Sequence, residues 1–317
     1  MNKLTIFVFS FVIALALVSA RASTSCQIEA KANFLKRNQD LYREYKAIDP
    51  YASMLEHKKA KWIDGKENAS KVLFLAHGYL GTPSEMMYLA KPFIKAGWTV
   101  VGFLIPGHGS TTDVGNSYSN ERWQEEIKAQ LDPIVQCFDE VRVAGFSTGG
   151  LLLYDYAAHS KNTGSLKSVH LVSPYFLPRL GAWNLIDGII QFLYDGIHVD
   201  LAYAVTHFPD LKVMTVNKKD YNQNIPVGLA REVSDLGRKV YNGTWPSEKV
   251  KIPVQLFLSE GDWTVDTDVT KEIIFESFND VDFHWFGGTE PHHLMVPEVS
   301  RVAKTVQNLI WEFATEL

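Results

Sequence analysis

An α/β architecture, with a mostly parallel central sheet flanked by helices and a helical cap inserted in its second half, is predicted by three features of this sequence. Short apolar runs, VLFLAH (72–77), WTVVGFLI (98–105), VRVAGF (141–146), SVHLVS (168–173), PVQLFLS (253–259) and VDFHWF (281–286), alternate with longer amphipathic segments, the rhythm of strands joined by crossover helices. The runs are apolar at nearly every position, as strands covered on both faces must be. The rhythm then stops between Tyr175 and Val250, where aromatic-rich helical patterns such as WNLIDGIIQFLYDGIHVDLAYAVTHF fill a stretch too long for a plain loop.

The elements follow in order. Residues 1–22 hold one lysine, a largely apolar run from Leu4 to Val18, and small residues at Val18-Ser19-Ala20 and Ala20-Arg21-Ala22. The run is shorter than the ~20 residues a spanning helix needs. A secretory signal cleaved after Ala20 or Ala22 is expected, which makes the mature protein secreted or periplasmic; an uncleaved membrane anchor is the alternative. Residues 23–70 read as an extension, a charged helix (QIEAKANFLKRNQDLYREYK) followed by a hairpin (MLEHKKAKWIDG). The α/β core spans 71–174 and 251–317, and the cap spans 175–250. Helices are expected over 85–96, 123–137, 149–159 and 267–278, and from Pro297 onward, where Val299, Val302, Val306, Leu309, Ile310 and Phe313 form one apolar face.

With 317 residues, 46% hydrophobic and 21% charged, the chain has material for a large core. Its formal net charge of −5 offers no basic field for phosphate backbones, so nucleic-acid partners are disfavoured and small-molecule or lipid-like substrates come first. A transient contact with a membrane or lipid surface is compatible with such substrates. The two cysteines, Cys26 and Cys137, either form one disulfide tying the mature N-terminus to the body, or leave Cys137 as apolar filler at a helix end. Asn68-Ala-Ser and Asn242-Gly-Thr are glycosylation sequons, relevant only in a eukaryotic source.

The densest chemical signal is VRVAGFSTGGLLLY, in which Gly145-Phe146-Ser147-Thr148-Gly149 fits G-x-S-x-G between a strand and a helix. The turn holds the serine in a strained backbone conformation, and side chains at the flanking glycines would strike the strand and the helix. A nucleophile here needs oxyanion donors: the Thr148 N–H that follows it, and an N–H from the loop after an early strand, which HGYLGTPSEM supplies at Tyr79. It also needs an acid and then a histidine, in that chain order. Asp262 in the EGDWTVDTD loop is the candidate acid, with Asp266 next. The base must follow the last strand, which leaves His292 and His293 in GGTEPHHLMVPEVS.

HGYLGTPSEM, IPGHG (105–109), GFSTGG, SEGDWTVD and this late histidine loop together resemble the α/β-hydrolase superfamily, and within it carboxylesterases and monoacylglycerol lipases. The resemblance implies an α/β-hydrolase fold and a serine esterase or lipase without cofactor. Ser147 would be nucleophile, Asp262 the acid, and Tyr79 and Thr148 the oxyanion donors. In the family the base is followed by apolar residues and an acid at about +5; His293-Leu-Met-Val-Pro-Glu298 fits that register, and the resemblance therefore implies His293. Thioesterase, lysophospholipase or peptidase activity on the same triad, and a catalytically silent binding protein, are the alternatives. No HExxH, C-x-x-C or GxxxxGK[ST] occurs, so no metal site or P-loop is expected. Trp183, Phe192, Tyr194, Tyr203 and Phe208 in the cap would wall an apolar substrate pocket.

Overall fold

The computed structural model describes residues 3–66, 70–179, 198–200, 219, 221, 224–243 and 245–316, with side chains from Thr24 onward except those of 198–200 and 224–225. The leader expected over 1–22 therefore lies outside the residues whose side chains are described, as do Asn68 of one sequon, Thr244 of the other, and the cap aromatics Trp183, Phe192, Tyr194, Tyr203 and Phe208.

A seven-stranded sheet runs in the order β1-β3-β2-β4-β5-β8-β9. Its strands are β1 (Lys61–Ile63), β2 (Lys71–Ala76), β3 (Thr99–Phe103), β4 (Glu140–Phe146), β5 (Leu166–Val172), β8 (Val254–Ser259) and β9 (Val281–Phe286). All neighbours pair in parallel except β1, which lies antiparallel to β3 at the edge. Every residue of β3 and β8 is buried, and β2 is buried after its first, as their unbroken apolar sequences require. Helices α2 (Pro83–Lys95), the one-turn α3 (Thr112–Gly115), α4 (Asn120–Cys137), α5 (Thr148–His159), α7 (Thr267–Ser277) and α8 (Ala303–Glu316) connect or follow these strands. The core divides into two large clusters on the two sides of the sheet: Val72, Phe74 and Ala76 of β2 enter one and Leu73 and Leu75 the other, the alternation a pleated strand imposes.

Three expectations are corrected. The hairpin over 54–65 does not form: Glu56–Lys58 is a short 3₁₀ turn, and Lys61–Ile63 pairs with Val100–Gly102 of β3. A sheet edge offers a whole row of backbone partners, and a three-residue strand has too few of its own to hold a local hairpin. The last helix starts at Ala303, not Pro297. Residues 296–302 form turns fastened by Glu290, whose Oε2 accepts from Ser300 Oγ (2.9 Å) and the Arg301 N–H (3.1 Å). The stretch 175–250 is not wholly helical either. Its described residues hold a two-stranded antiparallel ribbon, β6 (His198–Asp200) with β7 (Asn224–Pro226), ahead of α6 (Val227–Tyr241).

The extension is fastened to the body along α1 (Lys3–Ile48). Phe34, Leu41 and Tyr45 are buried. Arg37 forms two hydrogen bonds to the buried Glu126 of α4, at 2.7 and 2.8 Å. Burial alone would raise the Glu126 carboxyl, but the Arg37 and Gln130 donors outweigh it and hold it below the ordinary value. Cys26 and Cys137 are joined in a disulfide with Cα atoms 5.2 Å apart, which pins α1 to the C-terminal end of α4.

Candidate active site

Strands β2, β4 and β8 all end on the same side of the sheet, and the loops that leave them carry the predicted site residues. After β4 the chain turns sharply into α5. Ser147 sits in the turn at φ 50°, ψ −115°, a conformation costly for any residue with a Cβ. It is held by three backbone hydrogen bonds: its N–H donates to the Val172 carbonyl (3.0 Å), and its carbonyl accepts from the Leu151 N–H (3.0 Å) and the Tyr175 N–H (3.1 Å). The flanking glycines are sterically required. A Cβ on Gly145 would stand 2.6 Å from the Gly149 carbonyl oxygen, and one on Gly149 would strike the Ala76 carbonyl. Thr148 opens α5; as the first helical residue it has no intrahelical partner for its N–H, and that end of the helix carries partial positive charge.

The loop after β2 lies against this turn, with an ideal Cβ on Gly78 only 3.3 Å from Ser147 Cβ. His77 organises it. Its Nδ1–H donates to the Gly78 carbonyl (2.8 Å), and its Nε2 accepts from the Ile105 N–H (3.0 Å), so both ring nitrogens are used and the neutral tautomer is fixed. Burial, and then the nearby His108, keep His77 well below the ordinary histidine pKa. The Gly78 carbonyl also accepts from the Gly81 N–H (3.1 Å). That carbonyl belongs to the same peptide as the Tyr79 N–H. In a trans peptide the two point in opposite directions, so fixing the oxygen against His77 and Gly81 fixes the direction of the Tyr79 donor. His108, from the IPGHG loop, packs its ring 5.1 Å from His77 and 6.2 Å from Tyr79; its burial lowers its pKa to about 4.

After β8, Asp262 is fully buried and triply bonded. Its Oδ1 accepts from the Thr264 N–H (2.8 Å) and the Val265 N–H (3.0 Å), and its Oδ2 accepts from the Nδ1–H of His292 at 2.8 Å. Asp266, the second candidate, caps α7 by accepting from the Asp268 and Val269 N–H groups. The expectation that His293 is the partner of Asp262 is thus corrected by the geometry, which brings His292 there. The reason lies in how the loop is seated. Ser259 Oγ donates to the Glu290 carbonyl (2.9 Å), and Gly261 allows the backbone of Thr289 and Glu290 to lie directly against it. The next free side chain beyond Pro291, that of His292, therefore arrives at Asp262.

His293 turns away into the apolar side of the loop with Leu294, Met295 and Val296. Its ring packs 4.9 Å from Phe146 and 6.1 Å from Tyr221, and its Nδ1 has no hydrogen-bond partner among the described residues. Burial, and then His292, push its pKa well below the ordinary value. His292 packs 4.9 Å from the same Phe146, the residue that precedes Ser147. Glu298, which set the register favouring His293, is exposed; Glu290 is the acid that fastens the loop.

One residue at the site was not anticipated. Glu85 accepts the Gly78 N–H at 2.5 Å. Its sequence signal was Thr82-Pro83-Ser84-Glu85, which reads as a helix-capping box.

Fold and site together define an α/β-hydrolase: a mostly parallel sheet with a strained serine after one strand, an acid after a later one, and a histidine loop that meets the acid. Residues 67–304 match the family model described as serine aminopeptidase, S33, and the chain belongs to that family. It is 24% identical over 216 residues to a thermostable monoacylglycerol lipase from Bacillus sp. (strain H-257), an alignment covering 68% of this chain and 80% of the relative. Among solved structures it resembles a monoacylglycerol lipase from Paleococcus ferrophilus, with a TM-score of 0.62 and 19% identity over 80% of this chain and 97% of that one. A soluble variant of monoglyceride lipase from Saccharomyces cerevisiae gives a TM-score of 0.67 and 12% identity over 81% of this chain and 91% of that one.

Proposed function

We propose that the chain is a carboxylic ester hydrolase, a carboxylesterase or monoacylglycerol lipase-like serine hydrolase, acting on small-molecule or lipid esters. The observation that carries this reading is the hydrogen bond between Asp262 and His292, on the same end of the sheet as a serine held at φ 50°. A carboxylate accepts only, so His292 bears its proton on Nδ1 and presents Nε2 as a base. Ser147 Oγ, losing its proton to His292, attacks the ester carbonyl. The tetrahedral oxyanion is met by the Tyr79 and Thr148 N–H groups, whose directions are fixed before substrate arrives. His292 then returns the proton to the leaving alcohol, and water, activated the same way, releases the acid and restores Ser147. Asp262 stabilises the imidazolium that forms in each half-reaction.

The disulfide supports a working place in an oxidising compartment, secreted or periplasmic. The test is labelling with a fluorophosphonate, followed by hydrolysis of p-nitrophenyl and monoglyceride esters in an acyl-length series. A Ser147-dependent adduct with ester turnover is expected. A folded protein that takes no adduct is a binding protein, and this reading then fails. Because the family description names an aminopeptidase, aminoacyl p-nitroanilides belong in the same assay; turnover of these in place of esters would move the substrate from ester to peptide on the same residues.

A further inference from the structure

Glu85 lies in the first turn of α2 and is 7% exposed. A glutamate three residues after a helix-capping threonine ordinarily reaches back to the capping residue's own N–H. Here its Oε1 reaches further, to the Gly78 N–H at 2.5 Å, while its Oε2 accepts from the Tyr221 hydroxyl at 2.5 Å. A Cβ on Gly81 would collide with the same carboxylate. One side chain thus bears on both ends of the turn 78–81 that carries the Tyr79 donor. Tyr221 comes from the inserted stretch, and its ring also packs against His293, the neighbour of His292. The insertion grips the turn at a second point, where the Tyr79 hydroxyl donates to the Pro226 carbonyl at 3.0 Å.

We propose that Glu85 is a positioning residue for oxyanion stabilisation, and that with Tyr221 it couples the placement of the inserted segment to the aim of the Tyr79 N–H. The inference rests on the serine-hydrolase reading above. A buried N–H left without an acceptor drives local rearrangement. The Gly78 N–H belongs to the peptide just before the Gly78–Tyr79 one, so without Glu85 the Gly78 Cα is released and the carbonyl that His77 and Gly81 hold shifts with it, turning the Tyr79 N–H. The oxyanion donor acts mainly in the transition state, so the loss falls on kcat and spares KM.

The experiment measures kcat and KM of the full chain on a short-chain p-nitrophenyl ester for wild type, Glu85→Ala, Glu85→Gln, Tyr221→Phe and Ser147→Ala, with thermal unfolding of each. Glu85→Ala is expected to lower kcat about 10–100-fold with KM within about twofold, since misaiming a donor costs less than deleting one. Glu85→Gln keeps an acceptor for Gly78 and recovers most of the rate. Tyr221→Phe lowers kcat roughly 3–10-fold, as one of two anchors is lost. The proposal is overturned by an unchanged kcat in Glu85→Ala or Tyr221→Phe, by an effect confined to KM, or by a glutamine variant as slow as the alanine one. Should Glu85→Ala not fold, the glutamine and phenylalanine variants decide by the same criteria. Ester turnover that persists in Ser147→Ala instead sinks the underlying reading, whatever Glu85 does.

Discussion

His292 Nδ1 lies 2.8 Å from Asp262 Oδ2, while the adjacent His293 Nδ1 is buried without a hydrogen-bond partner among the described residues. The two neighbours therefore differ in what they can do: the first has an acceptor to stabilise its protonated form, and the second is held neutral. His292→Ala is expected to lower kcat by about 10³-fold or more on p-nitrophenyl butyrate, and Asp262→Asn by a comparable factor. His293→Gln is expected to keep turnover within about tenfold of wild type, its cost being in packing against Phe146 and Tyr221. Abolition by His293→Gln with full activity in His292→Ala would reassign the base.

The packing around Ser147 predicts a second loss by a different route. A methyl on Gly149 would strike the carbonyl of Ala76, the last residue of β2, and backbone cannot yield as a flexible side chain can. Gly149→Ala should destabilise the protein by about 1–3 kcal/mol or more, read from urea unfolding. It should also slow the enzyme, because the displaced strand end leads into His77 and the turn 78–81 proposed to carry the Tyr79 oxyanion donor.

Histidine burial sets the acid limit of stability. His77, His108, His170 and His293 are all held below the ordinary histidine value by burial. His170 is lowered to about 3, its ring neutral between Gln255 Oε1 (2.7 Å) and Ser168 Oγ (2.9 Å). Above pH ~6.5 both folded and unfolded chains carry these rings neutral. Below it the unfolded chain takes up protons that the folded one refuses, so stability falls as pH drops. Each ring contributes a slope of at most ~1.4 kcal/mol per pH unit. Denaturant titrations between pH 7.5 and 4.5 should show this decline, and His170→Gln should flatten it by about one proton. An unaltered slope in that variant would mean that His170 charges within the fold.

The disulfide closes a loop of 111 residues. Loop-entropy reasoning gives a stabilisation of roughly 4–5 kcal/mol for a closure this long, with measured values for native bridges running about 2–5. Cys26→Ser with Cys137→Ser should lower unfolding stability within that range and leave kcat near wild type, since the bridge joins α1 to α4 rather than the loops of Ser147, Asp262 and His292. Equal stability of the oxidised and serine forms would show that Arg37–Glu126 and the apolar face of α1 suffice to hold the extension.

The strands of the sheet and the serine turn were legible in sequence because their constraints are local. Burial on both faces demands apolar residues without a break, and the Ser147 turn leaves no room for a Cβ at Gly145 or Gly149. The choice between His292 and His293 was not legible. It depends on where Glu290 and Pro291 are seated against Ser259 and Gly261, a contact across some thirty positions, whereas a register counted along the chain sees only His293 and Glu298. Strand β1 escaped for a similar reason: Lys61–Ile63 has its partner in Val100–Gly102, not in adjacent residues. Glu85 showed only its helix-capping pattern, and the acceptor role toward Gly78 exists only once α2 folds back over the turn.

The Cys26–Cys137 bond also changes what a protease can do to the chain. Strands β1, β2 and β3 and the turn 78–81 lie between the two cysteines, while Ser147, Asp262 and His292 lie beyond them. A single backbone cut anywhere inside that interval leaves the two fragments covalently joined. Nicked enzyme would migrate as intact chain on a non-reducing gel and separate only on reduction. A cut between Tyr79 and Cys137 would place Tyr79 on one fragment and Ser147 on the other, and the bridge would still hold the two together.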